Sequence, residues 1–108
     1  MLRESANAQG QPINVPAVTR PLLGARLPLG DELLAFTDAI VLLNFDELPL
    51  ARADLASAGG SGAVTRAAAV CANFEATNRV VDAVGVPVNK RFYDIGAELG
   101  VEIPDHLR

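Results

Sequence analysis

The chain has 108 residues and a mass of 11.3 kDa, enough for one domain that leaves roughly a third or more of its unfolded surface exposed, so an oligomer is a ready way to bury the remainder. Half of the residues are apolar and 20% are charged, a balance that excludes a disordered chain. Thirteen acidic residues against nine basic ones give a net charge of -4, and the basic residues are scattered from Arg3 to Arg108 without a cluster, so nucleic acid is not an expected partner.

The opening Met1-Leu2-Arg3-Glu4-Ser5 reaches Gln9-Gly10-Gln11 without an apolar core and does not read as a secretory signal. Residues 1 to 30 contain four of the seven prolines and no helical period, which predicts an extended or irregular arm. Its apolar residues Val15, Val18, Leu22, Leu23, Leu27 and Leu29 imply that the arm packs, either on the body or on a neighbouring subunit.

A helical domain is predicted over residues 31 to 101 and a frayed tail over 102 to 108. The first helix opens at Gly30-Asp31 with Asp31 as N-cap and runs to about residue 44, with Leu33, Leu34, Phe36, Ile40, Val41 and Leu43 on an apolar face. Phe45 to Pro49 breaks it. A short helix over about 50 to 58 then ends at Gly59-Gly60.

The third helix is predicted to start at Ser61 or Gly62 and to end at Gly85, with Val86 and Pro87 beyond. Val70, Phe74, Thr77, Val81 and Val84 share one face, and Phe74 and Val81 are expected to be buried against Phe36 and Ile40. Glu75 and Arg79 are spaced as an i, i+4 ion pair. Alanines elsewhere on the helix predict close helix neighbours on more than one side. A fourth helix follows an Asn89 cap, from about residue 90 to 99, and stops at Gly100-Val101. No segment alternates, so the expected fold is all-α, a small bundle of about four helices with an extended Pro-rich arm.

The stretch Val70-Cys71-Ala72-Asn73-Phe74-Glu75-Ala76-Thr77-Asn78-Arg79-Val80-Val81-Asp82-Ala83-Val84-Gly85-Val86-Pro87 resembles the C-terminal helix of the AhpD-like, carboxymuconolactone decarboxylase-related family. Many members carry a Phe-Asn, Asn-Arg and Gly-Val-Pro pattern of this type. The resemblance covers about residues 31 to 90, and residues 73 to 87 are its specific part. It implies an AhpD-like helical fold and a peroxidase-related ancestry. The chain departs from the family in two places. The catalytic Glu-x-x-Cys-x-x-Cys-x-x-x-His motif has no counterpart here, and the Phe-Asn pair becomes Phe74-Glu75.

Cys71, the single cysteine, has two readings: a lone reactive thiol completed by a partner's cysteine, or a small buried apolar residue. Its neighbours Val70 and Ala72, with no cation one turn away, favour the second. His106 lies in the tail beyond Pro104 and reads as solvated. One His and one Cys provide no metal site of ordinary spacing, and no cofactor is expected. Asn73, Asn78 and Arg79 are the polar candidates for a pocket or an interface, with no general base close to them in sequence.

These residues lead to a catalytically incomplete AhpD-like protein, acting as a structural or small-molecule-binding subunit of a homo-oligomer, most simply a dimer. The alternative is an alkylhydroperoxidase-like or carboxymuconolactone decarboxylase-like enzyme whose site another subunit completes, for example a partner carrying the missing Cys-x-x-Cys half. The longest apolar run, Ala39-Ile40-Val41-Leu42-Leu43, is too short to span a bilayer, so no membrane partner is expected. The lone cysteine fits a reducing compartment, and the cytoplasm is the expected location.

Overall fold

Proline-free, alanine-rich segments between glycine stops have few alternatives to the helix, and helices dominate the computed structural model, which describes residues 2–108. In chain order they are α1 (Leu2–Ala8), α2 (Gly30–Val41), α3 (Leu48–Gly59), α4 (Ser61–Val84) and α5 (Tyr93–Leu99). Short 3-10 turns lie at Val15–Val18, Pro21–Leu23, Lys90–Phe92 and Asp105–Leu107. No strand occurs among the described residues, and the fold is all-α. No helix among them is long and apolar enough to cross a membrane.

The core is the junction of α2, α3 and α4. Leu55 of α3 is fully buried between Phe36 and Ala39 of α2, Ala51 of its own helix and Ala63 of α4, with Leu33, Ile40, Leu48, Val64, Ala67 and Ala68 packed around them. Burial of side chains the size of Leu55 and Phe36 contributes about 1.5–3 kcal/mol each. The alanines on α4 keep its inner face thin, so α2 and α3 both approach it closely.

The inner face of α4 is not the predicted one. Phe74 is 61% exposed and Val81 37% exposed, while Ala63 and Cys71 are the buried residues of the helix. The cause is length. At 1.5 Å per residue the 24 residues of α4 span about 36 Å, whereas the 12 residues of α2 and of α3 span about 18 Å each, so half of α4 runs past its neighbours. Small residues meet the two short helices, and the bulky stripe faces outward.

The glycine endings follow their predicted chemistry. Gly85 adopts φ 69° and Gly100 φ 72°, and beyond each the following residue's N–H returns to the helix, Val86 to the Val81 carbonyl at 3.1 Å and Val101 to the Gly96 carbonyl at 2.9 Å. Asn89 caps as expected, its side-chain oxygen accepting from the Arg91 N–H at 3.1 Å, but the first turn there is 3-10 and α5 begins at Tyr93.

Asp31 does not cap α2. The helix starts at Gly30 after the left-handed Leu29, and the Asp31 carboxylate accepts from the Ala25 N–H at 3.0 Å, which ties the arm to the body. Gly30 permits that closure, because a Cβ there would lie 2.7 Å from the Ala25 Cβ. The arm expected over residues 1 to 30 is more regular than predicted, since its first segment forms α1 before the first proline at Pro12; Met1 lies outside the described residues. Asn14 donates to the Leu23 and Gly24 carbonyls at 3.2 and 3.0 Å, holding the arm's two 3-10 turns together. The tail expected to fray ends in a 3-10 turn at Asp105–Leu107 and is tied back by hydrogen bonds. The Val88 N–H donates to the Leu107 carbonyl at 2.7 Å, and Arg108 donates to the Ile103 carbonyl at 3.0 Å.

Candidate functional site

Side chains four apart stack as ridges along a helix, and two such ridges make the main concavity of the molecule. One wall is Leu29, Leu33, Thr37 and Val41 from the N-terminal boundary and body of α2. The floor and the other wall come from α4, with Ala63, Ala67 and Cys71 on one ridge and Arg66, Val70, Phe74 and Asn78 on the next. The groove is open and has a volume of about 710 Å³. Its surface is mainly apolar; Arg66, Glu75, Asn78 and Thr37 supply the polar groups at its edges.

Cys71 sits in the wall of this groove with 9% of its surface exposed, and its thiol donates to the Thr37 hydroxyl at 3.7 Å. The thiol therefore faces α2 rather than solvent. Of the polar candidates, the structure brings Asn78 to the groove beside Cys71 and leaves Asn73 and Arg79 outside it, exposed on α4. Glu75 and Arg79 do not form the expected ion pair, since among the described residues neither has a charged partner within 4.0 Å; Glu75 is half-buried at the groove's edge while Arg79 is exposed to solvent, which competes for its guanidinium. His106 lies exposed in the last 3-10 turn. Among the described residues no three His, Cys, Asp or Glu side chains gather in a way that could hold a metal ion.

The α2 wall was missed by the sequence reading. Its signal was present in the spacing of Leu29, Leu33, Thr37 and Val41, each four residues apart. A smaller apolar cavity of about 200 Å³ lies on the other side of α2, beneath the arm, between Ile13, Val15, Ala17, Ala25 and Leu34, and it shares Leu33 and Thr37 with the groove. At that volume it is below the usual range of ligand sites.

Thr37 is thus the polar point between the two spaces, and the groove can chemically do two things: accept an apolar body against Val41, Val70 and Phe74, and anchor a polar group at its rim through Arg66, Glu75 or Asn78. No family model, curated protein or solved structure matches this chain.

Proposed function

We propose that the chain is a catalytically incomplete helical subunit of the AhpD-like, carboxymuconolactone decarboxylase-related type, acting as a structural component of an oligomer in the cytoplasm. The observation that carries this reading is surface. The chain exposes 7847 Å², against about 5,700 Å² for a monomer of its mass, an excess of roughly 2,000 Å². Its radius of gyration of 15.1 Å likewise exceeds the ~13 Å of a compact chain of this length. Phe74, Val80, Val84, Leu42, Leu43 and Phe45 each expose more than 60% of their surface, which is apolar area suited to a subunit contact.

The family assignment rests on the sequence of residues 73 to 87, and catalytic incompleteness on the single cysteine. One thiol can attack a peroxide but needs a second to resolve the product as a disulfide. A small-molecule-binding role is the second reading, favoured by the groove's volume of about 710 Å³, which falls within the range of ligand sites.

Two measurements test the proposal. Light scattering should return a mass above 11.3 kDa at micromolar concentration, and a monomer mass contradicts the subunit role. A peroxide-reduction assay with a dithiol donor should show no turnover by the chain alone; turnover that disappears in Cys71→Ser would establish an enzyme instead.

A further inference from the structure

The exposed stripe of α4 has a regular spacing. Val70, Phe74, Thr77, Val81 and Val84 follow one another at intervals of four, three, four and three residues, the repeat of a two-helix seam. Ala63 and Ala67 continue it backwards into the part of α4 that α2 and α3 already cover. From Phe74 onward the stripe residues are exposed, as is the adjacent Val80. Arg79 and Asp82 occupy the opposite side of the helix, and of the charged residues on this half only Glu75 reaches the groove's edge.

Resting on the subunit reading above, we propose that the occupant of the groove is the overhanging end of α4 from a second copy of this chain. The two α4 helices run antiparallel about a two-fold axis that passes between Glu75 and Ala76 along their length. That register sets Val81 of one copy opposite Val70 of the other, Val84 opposite Ala67, and Phe74 opposite Thr77, each contact occurring twice. Bulky residues then meet small ones at Ala67 and Thr77, as interdigitated packing requires. Each copy fills the other's open groove with the half-helix that its own chain leaves uncovered.

The area agrees with this assignment. Stable homodimers bury about 2,000–5,000 Å² in total, or about 1,000–2,500 Å² per copy. The chain as a whole exposes roughly 2,000 Å² more than a compact monomer of its mass, enough to supply a contact of the smaller of these sizes. Asn73 and Asn78 flank the seam on either side, as uncharged polar residues at its rim.

Cysteine pairing distinguishes the register. In a Cys71→Ser background, the double variant Val70→Cys with Val81→Cys places thiols eleven residues apart on one helix, about 16.5 Å along its axis, too far for a disulfide within one copy. Mild oxidation should convert it to a covalent species of twice the chain mass. Val70→Cys alone and Val81→Cys alone should remain uncrosslinked, because each lies far from its own symmetry mate. All three exposed-site variants should retain the helical circular dichroism of the parent. Cross-linking by either single variant, or none by the double variant while the parent sediments as an oligomer, would overturn this pairing and leave the subunit reading standing. A parent that sediments at 11.3 kDa would overturn both.

Discussion

The Cys71 thiol on α4 donates to the Thr37 hydroxyl on α2 at 3.7 Å, across 34 residues of sequence. This contact places the only sulfur nucleophile of the chain in a helix junction, facing another side chain instead of the open groove. Cysteine reactivity depends on exposure as well as on thiolate character. Cys71 should therefore react with a thiol reagent at least about tenfold more slowly in the folded protein than in denaturant, because labelling requires local opening. Equal rates in the two states would show that the thiol is accessible and that the junction is misassigned.

The core and the stripe should separate in mutagenesis. Leu55→Ala removes a fully buried side chain at the meeting point of three helices and should cost about 2–5 kcal/mol, read as a lowered melting temperature at every protein concentration. Phe74→Ala should instead weaken association and reduce the dependence of melting temperature on concentration. Similar, concentration-independent losses in both variants would place Phe74 in the core.

The arm holds α5 by two hydrogen bonds between distant parts of the chain. The Thr19 hydroxyl donates to the Leu99 carbonyl at 2.8 Å, and the Arg20 guanidinium to the Glu98 carbonyl at 3.1 Å. Each is worth about 0.5–1.5 kcal/mol. Thr19→Val combined with Arg20→Ala should accelerate hydrogen exchange of the α5 amides while leaving those of α3 unchanged. Unchanged α5 protection would mean that other contacts hold this helix.

Gly30 is the tight point between the arm and α2. An added Cβ would meet the Ala25 Cβ at 2.7 Å and the Leu27 Cβ at 3.3 Å, and neither atom can swing away as the end of a long side chain can. Gly30→Ala should destabilise the fold by about 1–3 kcal/mol despite the better helix propensity of alanine, measured by urea denaturation. A gain in stability would show that the arm lies farther from α2.

Local chemistry was legible in the sequence, and relative placement was less so. Gly85 and Gly100 mark helix ends because a left-handed residue is needed there whatever the surroundings, and the structure has both. The direction of α4 was not legible. Alanine around most of the helix leaves two candidate inner faces, and the bulkier one, with Phe74 and Val81, looks like the core until the shortness of α2 and α3 is taken into account. Asp31 was misread for a related reason. Its sequence position fits a helix cap, but its carboxylate serves the Ala25 N–H, a contact made by the path of the arm. The groove required both helices at once, so only its α4 residues Cys71 and Asn78 were singled out, and Asn73 and Arg79 proved to lie outside it.

Sedimentation equilibrium of the parent chain and of Phe74→Asp, over a dilution series from high to low micromolar concentration, tests most directly whether the exposed face of α4 is a subunit contact. The account predicts a parent mass near twice 11.3 kDa that falls toward the single-chain value on dilution, and a Phe74→Asp variant that is monomeric throughout with unchanged helical content. A parent that remains at the single-chain mass, or a Phe74→Asp variant that associates as the parent does, would contradict it.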